Sequence, residues 1–222
     1  MTKIKICGIT NKKDAQICIN SDVDYIGLNF YKKSLRYIFK KNFSNFLLKI
    51  NKENTKFVGV FVNKSIKKII EIVDKFNLDL IQLHGDENNK FIEKLRHALA
   101  SNNFDKVKII KAIRIKDNSK KNLNFDCDYL LFDTYSEKKY GGTGQTFNYN
   151  FFLQKKIIKD YFLSGGLNPE NIDEALKLDP YAVDINSGIE KSPGIKDHDK
   201  LKIIVNKIRK SSRHNEPLRR KI

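Results

Sequence analysis

Two side chains suited to proton transfer stand at the carboxyl ends of apolar, strand-like runs. Cys7 lies at the end of such a run near the N-terminus, and Asp133 directly follows Tyr129-Leu130-Leu131-Phe132. Desolvation raises the pKa of a carboxyl group, which suits Asp133 to general acid catalysis. A thiolate can act as a general base where positive groups lower its pKa. The alternatives are a small buried apolar residue at position 7 and a helix-capping or salt-bridging aspartate at position 133.

Polar residues also follow most of the other strand-like runs. In chain order they are Arg36, His84, Arg114, Asp184 and Asn186. If the runs are parallel strands of a barrel, their carboxyl ends lie at one rim, and these side chains converge there. His84 is open to two interpretations, a catalytic base or a polar residue that holds its loop. Cys18 and Cys127 have no comparable setting, and we interpret both as structural.

Glycine-rich turns follow the last two runs. Ser164-Gly165-Gly166 precedes a helix start, and Asn186-Ser187-Gly188 makes a second turn. Glycines let backbone N–H groups approach an anion, and a helix N-terminus adds partial positive charge. Two such turns at adjacent strand ends favour a phosphate site over plain tight turns. A third glycine-rich segment, residues 140–147, contains Gly142 and suggests either a loop that closes over a ligand or an ordinary surface loop.

Eight strand-like runs alternate with helical patterns. The runs are Lys3–Ile9, Asp24–Phe30, Lys56–Val62, Leu78–His84, Val107–Ile115, Tyr129–Thr134, Tyr161–Ser164 and Ala182–Asn186. Several are almost continuously apolar, as in strands covered on both faces. Helices are predicted after an N-cap at Ser65, after an N-cap at Asn168, and over Leu201–Ile208. The alternation predicts parallel strands in a single-domain TIM (β/α)₈ barrel or an open doubly wound sheet, and no G-x-G-x-x-G fingerprint follows the first run to support dinucleotide binding.

Length and charge divide the chain into two parts. The 222 residues suit one barrel domain, which we place at residues 1–208. Residues 209–222 hold six Lys/Arg and one Glu and are predicted to be a basic, flexible tail. The formal net charge is +17, but lysines are spread over almost every segment. This distribution favours a basic surface over a specific nucleic-acid site.

Cysteine usage and hydropathy indicate the compartment. Three cysteines without paired spacing argue against a disulfide framework, and they also lack the spacing of a zinc site. No apolar run is long enough to cross a membrane, and the N-terminal residues do not resemble a signal peptide. We therefore expect a cytoplasmic protein with no membrane partner, no metal and no cofactor.

The motifs together resemble those of the phosphoribosylanthranilate isomerase family. They occur in family order from residue 3 to about residue 208, and only the basic tail lies outside the resemblance. The motifs are Lys5-Ile6-Cys7-Gly8-Ile9-Thr10, Gln82-Leu83-His84-Gly85-Asp86-Glu87, Phe132-Asp133-Thr134, Gly141-Gly142-Thr143-Gly144-Gln145-Thr146-Phe147, Leu163-Ser164-Gly165-Gly166-Leu167-Asn168-Pro169-Glu170-Asn171, Val183-Asp184-Ile185-Asn186-Ser187-Gly188-Ile189-Glu190 and Ser192-Pro193-Gly194-Ile195-Lys196-Asp197.

The resemblance implies a TIM-barrel enzyme of tryptophan biosynthesis. The reaction would be the Amadori rearrangement of N-(5′-phosphoribosyl)anthranilate to 1-(o-carboxyphenylamino)-1-deoxyribulose 5-phosphate, by a monomer or homodimer. Carried over, Cys7 is the general base, Asp133 the general acid, Arg36 the group at the anthranilate end and Asp184 the group near the sugar hydroxyls. We count His84 with the substrate-binding residues. The phosphate is expected at Gly142, Gly165, Gly166, Asn186, Ser187 and Gly188.

Two positions depart from the family pattern. Leu35 stands where a proline is usual before the arginine, so the loop that carries Arg36 is less rigid. Asn186 stands where the family often has serine, and its amide can still donate to an anion. Two other functions compete: an indoleglycerol-phosphate synthase, which would need a lysine general acid at a strand end, and a nucleic-acid-binding protein, whose affinity would fall steeply with salt.

Overall fold

Eight parallel strands close into a barrel. The structure is a computed structural model that describes residues 1–39, 43–115, 123–133 and 157–214. Each strand pairs with the next along the chain, and the last pairs with the first. The closed form of the predicted fold is thus confirmed. The strands are β1 (Lys3–Cys7), β2 (Tyr25–Asn29), β3 (Lys56–Phe61), β4 (Leu80–Leu83), β5 (Lys108–Arg114), β6 (Tyr129–Asp133), β7 (Tyr161–Ser164) and β8 (Ala182–Ile185).

Helices and a small hairpin connect and cover the strands. In the described residues the helices are α1 (Lys12–Asn20), α2 (Phe43–Leu47), α3 (Ile66–Phe76), α4 (Asn89–Ser101), α5 (Ile172–Leu176) and α6 (His198–His214). A 3₁₀ turn, Ser187–Ile189, follows β8 and leads into the hairpin strands β9 (Glu190–Ser192) and β10 (Ile195–Lys196). None of the helices in the described ranges combines the length and the apolar character needed to cross a bilayer.

Two predicted helix starts have different outcomes. Ser65 does occupy the N-cap of α3, although its side chain makes no capping hydrogen bond. The helix predicted to begin after Asn168 begins instead at Ile172. The Asn168 side chain still accepts the backbone N–H groups of Glu170 and Asn171, at 2.9 and 3.0 Å. It therefore closes a turn ahead of the helix, as asparagine does outside helices.

The last helix is longer at both ends than the predicted Leu201–Ile208. It runs to His214, and Arg209 donates to the Asp22 carbonyl at 2.6 Å and to the Asp24 carboxylate at 2.8 Å. The start of the predicted tail is thus helical and contacts the residues just before β2. The domain boundary after residue 208 remains a prediction.

Apolar residues form two separate layers. The inner layer contains only residues at or next to the strands: Tyr25, Val58, Leu80, Ile110, Ala112, Leu131, Phe162 and Ala182. The outer layer packs the other strand faces, among them Ile4, Ile26, Ile81 and Val183, against the helices. Side chains alternate between the two layers along each strand. Strand residues two apart therefore share a face, which determines which polar groups face the barrel interior.

Candidate active site

Cys7 faces the barrel interior at the carboxyl end of β1. It shares its face with Lys5, and it pairs in register with Gly27 of β2. A Cβ at position 27 would stand 2.7 Å from the Cys7 sulfur and 2.9 Å from the Cys7 Cα. Residue 27 must therefore be glycine for the thiol to take this position. The requirement for Gly27 is one that the sequence alone did not reveal.

Two buried cations act on the Cys7 thiol. Burial raises the pKa of Cys7 above its ordinary value of 9.0, and the charges of Lys5 and Lys196 work in the opposite direction. The net direction is upward, so in the ligand-free protein the neutral thiol is favoured at neutral pH. Positive groups near Cys7 were the condition named from the sequence for a thiolate base, and Lys5 and Lys196 are such groups, but their effect on the pKa of Cys7 is smaller than that of burial.

A fully buried ion pair lies beneath Cys7. Lys5 Nζ donates to Asp184 Oδ2 of β8 at 2.8 Å, and the side chains are 0% and 5% exposed. Burial by itself would lower the pKa of Lys5, but the Asp184 carboxylate and the neighbouring Cys7 hold this pKa above its ordinary value. Lys5 is therefore charged, and Asp184 is its counter-ion. The sequence offered one sign of this, a lysine between Ile4 and Ile6 in the first strand-like run.

One oxygen of Asp184 has no partner. Oδ1 is buried and accepts no hydrogen bond from any described residue. A second such atom, Gln82 Oε1, lies on β4. Both residues are interior-facing, and unpaired buried polar atoms each cost about 1–3 kcal/mol. Two of them on the interior face are consistent with a site whose ligand would supply the missing donors.

His84 connects Gln82 to Asp133. Gln82 Nε2 lies 2.8 Å from His84 Nδ1, and His84 Nε2 lies 3.5 Å from Asp133 Oδ2. With Gln82 as donor, Nδ1 is the acceptor and the proton of a neutral imidazole is on Nε2, facing Asp133. His84 and Asp133 are each about one-fifth exposed. The predicted acid therefore lies next to a histidine at the rim.

The loop that carries His84 is anchored from below by a second buried pair. Lys111 Nζ donates to the Gly85 carbonyl at 2.7 Å and to Glu87 Oε2 at 3.0 Å. Glu87 also accepts the backbone N–H groups of Asn63 and Gly85, at 2.7 and 2.9 Å. With four hydrogen bonds made, this network fixes the course of the chain after β4. Glu87 lay in a motif noted from the sequence, but no role had been assigned to it, and Lys111 had not been singled out.

Arg36 is held by a carboxylate from the hairpin. Its Nε and Nη2 donate to the two oxygens of Glu190 at 2.9 and 2.5 Å. Glu190 Oε1 also accepts from Lys196 Nζ at 2.9 Å and from the Gly194 N–H at 3.1 Å. The Glu190 side chain is 4% exposed and that of Lys196 is 0% exposed. Glu190 and Lys196 lay in motifs noted from the sequence, but no role had been assigned to them.

Lys196 also reaches the end of β8. Its Nζ donates to the Asn186 carbonyl at 3.2 Å and to Asn186 Oδ1 at 3.0 Å. Arg36 and Asn186 both lie against Gly8, where a Cβ would stand 2.5 Å from Arg36 Cδ and 2.8 Å from Asn186 Oδ1. Arg36, predicted at the anthranilate end of the substrate, and Asn186, predicted at the phosphate, thus lie close together beside Cys7.

The predicted phosphate turns after β7 and β8 are in mutual contact. A Cβ at Gly188 would overlap the carbonyl oxygen of Leu167, so this glycine permits the close packing of the two turns. Gly165 and Gly166 have φ values of 109° and 66°. Ser187 begins the 3₁₀ turn and is exposed. Gly142 lies outside the described residues.

Two further predictions concern Arg114 and metals. Arg114 ends β5, pairs in register with Asp133, and is exposed. In the described ranges, no group of three or more His, Cys, Asp or Glu side chains is arranged to hold a metal ion. Among the described side chains at this rim, Cys7, His84 and Asp133 are of types that can transfer protons, and the cations nearby can bind anions.

Known proteins resemble this chain over most of its length. Residues 4–207 match the family model described as N-(5′-phosphoribosyl)anthranilate (PRA) isomerase. Proteins of that name from Caldanaerobacter subterraneus subsp. tengcongensis and Aquifex aeolicus are 41% and 42% identical to it. The alignments cover 94% and 91% of this chain, and 98% and 96% of those proteins.

Solved structures of phosphoribosyl anthranilate isomerases also resemble this chain over most of its length. The phosphoribosyl anthranilate isomerase of Thermotoga maritima superposes with a TM-score of 0.78 at 34% identity, over 95% of this chain and 100% of that one. A further phosphoribosyl anthranilate isomerase was solved in complex with reduced 1-(o-carboxyphenylamino)-1-deoxyribulose 5-phosphate. It has a TM-score of 0.73 at 30% identity, over 95% of this chain and 100% of that one.

Proposed function

The chain belongs to the N-(5′-phosphoribosyl)anthranilate isomerase family, and from that premise we propose that it catalyses the family's rearrangement with Cys7 as base and Asp133 as acid. The substrate is N-(5′-phosphoribosyl)anthranilate. The product is 1-(o-carboxyphenylamino)-1-deoxyribulose 5-phosphate, an intermediate of tryptophan biosynthesis. The reaction is an intramolecular aldose–ketose isomerisation and consumes no co-reactant.

The first step opens the sugar ring. Asp133 gives its proton to the ring oxygen, the bond between that oxygen and C1′ breaks, and the nitrogen lone pair forms a protonated imine with C1′. His84 lies 3.5 Å from Asp133 and can hold the carboxyl group in place while it gives up and regains its proton. Proton transfer by a positioned side chain contributes roughly 10²–10⁴-fold in rate.

The second step moves the double bond. The Cys7 thiolate removes the proton from C2′. The electron pair of that C–H bond forms a double bond between C1′ and C2′, and the electron pair of the C1′–N double bond returns to nitrogen, which gives the enolamine. Tautomerisation of the enol then gives the ketone at C2′ and a CH₂ group at C1′. Because burial raises the pKa of Cys7, the thiolate depends on the nearby charges of Lys5 and Lys196.

One observation carries this assignment. Cys7 and Asp133 end two strands of one barrel, β1 and β6, and the strand alternation gives both an interior-facing position at the same rim. A base and an acid on separate strands can reach different atoms of one small substrate. The rim at the carboxyl ends of the strands is where TIM-barrel enzymes place their catalytic groups.

Binding roles follow from the charges at the rim. Arg36 is proposed to meet the anthranilate carboxylate, His84 to contact the substrate, and the unpaired Asp184 Oδ1 to accept from a sugar hydroxyl. The phosphate is proposed to lie at the contacting turns after β7 and β8, together with the amide of Asn186. One relative, from Thermotoga maritima, is described as dimeric, and for this chain we propose a monomer or homodimer.

The test is an assay with freshly prepared N-(5′-phosphoribosyl)anthranilate, followed by the fall in its fluorescence. We expect turnover by the unaltered chain with no added cofactor, and the same rate in EDTA. Heat-denatured protein gives the background rate. No turnover by folded protein, or a rate that EDTA abolishes and a divalent ion restores, would count against the proposal.

A further inference from the structure

The hairpin after β8 presents one carboxylate and one cation to the rim. Glu190 lies on β9 and Lys196 on β10, 154 and 160 positions away from Arg36 in the chain. Both hairpin side chains are almost fully buried, although the backbone of β9 and β10 is mostly at the surface. Burial of a carboxylate and an ammonium requires partners, and each of these two has several.

In the described residues, only one edge of the Arg36 guanidinium makes hydrogen bonds. Nε and Nη2 engage the two oxygens of Glu190, while Nη1 has no partner in the described part of the chain. A guanidinium presents five donors in a rigid plane, so a carboxylate bound at the Nε edge fixes the direction in which the remaining donors point. The Nη1–Nη2 edge is left to receive a second carboxylate bidentately.

The charges of this cluster favour an anionic ligand. Burial lowers the pKa of Lys196, and the ion pair with Glu190 opposes that shift. With Arg36 and Lys196 charged and Glu190 ionised, the cluster has one uncompensated cation. A bound carboxylate would neutralise it. Lys196 also keeps Glu190 in place, because it links Oε1 of Glu190 to the carbonyl and side-chain oxygen of Asn186.

Leu35 makes such an anchor more important in this chain. It is 65% exposed and gives the Arg36 loop no buried contact of its own. The loop is held by Arg36 N, which donates to Ser34 Oγ at 3.1 Å, and by backbone hydrogen bonds of 3.1–3.2 Å on the residues that follow Arg36. The strongest tie between this loop and the rest of the rim is therefore the Arg36–Glu190 pair.

We propose that Glu190, held by Lys196, is a positioning residue that presents the free edge of Arg36 to the anthranilate carboxylate. The inference rests on the function proposed above. Glu190 touches no substrate atom in this scheme and acts through Arg36. Its loss is expected to weaken binding of the carboxylate end without slowing the proton transfers.

The experiment compares two ligands that cannot turn over. One is reduced 1-(o-carboxyphenylamino)-1-deoxyribulose 5-phosphate, and the other is the same compound without the carboxyl group. Affinity is measured by calorimetry for the unaltered chain, Glu190→Gln, Arg36→Ala and the double variant. Glu71→Gln is the matched control, because Glu71 forms an exposed pair with Lys68 on α3, away from the rim.

We expect Glu190→Gln to weaken binding of the carboxylate ligand by about tenfold, the size of one charge-assisted hydrogen bond. Binding of the carboxyl-free ligand should change less than about twofold. In the Arg36→Ala background, Glu190→Gln should add no further loss, because the two residues act as one unit. With the natural substrate, KM should rise while kcat stays within about threefold.

Four results would overturn the inference. Equal losses for both ligands would mean a merely structural role, and a loss that persists in Arg36→Ala would mean that Glu190 does not act through Arg36. Tighter binding in Glu190→Gln would make Glu190 a competitor of the substrate. If the unaltered chain binds neither ligand, both the inference and the proposed function fail.

Should Glu190→Gln not fold, Glu190→Asp takes its place. It keeps the negative charge but shortens the side chain, and the same selective loss of affinity for the carboxylate ligand is expected.

Discussion

The two ends of the barrel interior differ in how their polar atoms are paired. At the amino ends of the strands, rings close the interior: Tyr129 stacks on Tyr181 at 4.9 Å, and Tyr25 meets Phe162 edge-on at 5.5 Å. The hydroxyls of Tyr25 and Tyr181 form a hydrogen bond with each other, with their oxygens 2.9 Å apart. Burial raises the pKa of Tyr25, so this hydroxyl stays neutral.

At the carboxyl ends the interior is charged and incompletely paired. Both buried side-chain atoms that lack a partner among the described residues, Gln82 Oε1 and Asp184 Oδ1, are on this half. Together they cost about 2–6 kcal/mol, a cost that the paired aromatic end does not carry. One end of the barrel thus contributes stability, and the other gives up stability for the function proposed above.

The largest effect is expected from Cys7 and Asp133, the two groups proposed to transfer protons. Cys7→Ser and Asp133→Asn should each lower turnover by roughly 10²–10⁴-fold while unfolding stability changes little, because each removes a transfer group and keeps its shape. Turnover and thermal unfolding are measured on the same preparations, with Cys127→Ser as the matched control at a buried cysteine. Near-normal turnover in either folded variant would refute the assignment.

The opposite pattern is expected at the aromatic end. Phe162 is fully buried, and Phe162→Ala should lower the free energy of unfolding by about 3–5 kcal/mol through lost burial and a residual cavity. Turnover per folded molecule should stay within about twofold, since the change leaves the rim intact. Urea unfolding and the fluorescence assay measure the two quantities, and Phe162→Leu should lie in between. A large fall in kcat with unchanged stability would contradict the division of roles between the two ends.

Thiol titration tests how the charged end tunes Cys7. The ultraviolet absorbance of the thiolate, taken as the difference between the unaltered chain and Cys7→Ser, should show half-titration above pH 9.0. Burial destabilises the thiolate and Lys5 stabilises it, so Lys5→Met should move the titration to still higher pH. Lys3→Met, on the same strand but exposed, is the control and should leave it unchanged. A titration below pH 9.0 would contradict the balance proposed here.

The smallest effect concerns the end of α6. A chain that ends at Ile208 should keep its turnover, as the domain boundary predicts, but loses the Arg209 contacts to Asp22 and Asp24. The Arg209–Asp24 pair is largely buried, and we expect a loss of about 1 kcal/mol in unfolding stability, which a chain ending at His214 should retain. Calorimetric melting of both chains checks this. A loss of turnover on ending at Ile208 would mean that the last helix supports the rim.

The sequence predicted the strands well because their signal is local. Runs such as Val58-Gly59-Val60-Phe61 are buried on both faces, and a continuous apolar stretch is sufficient to show it. The rim positions of Cys7, His84, Asp133 and Asp184 followed from the rule that strand ends meet. The start of α5 was misplaced because Asn168 and Pro169 form a helix-like turn that does not propagate into the helix.

The partners of these rim residues could not be predicted, because they are distant in the chain. Lys5 and Asp184 are 179 positions apart, and Arg36 and Glu190 are 154 apart. No periodicity links such pairs, and each becomes apparent only when β8 closes onto β1. Burial also decided the direction of the Cys7 pKa, and the depth of a side chain is a property of the closed barrel.

The contact between β1 and β2 limits how this sequence can change over generations. A side chain at position 27 meets two obstacles, the Cys7 sulfur at 2.7 Å and the Cys7 Cα at 2.9 Å. Exchanging the cysteine for a smaller residue would remove only the first, since the second belongs to the backbone. No order of two substitutions therefore opens position 27 while the strands remain paired. We expect descendants of this barrel to keep glycine there even in lineages that have abandoned the thiol at position 7.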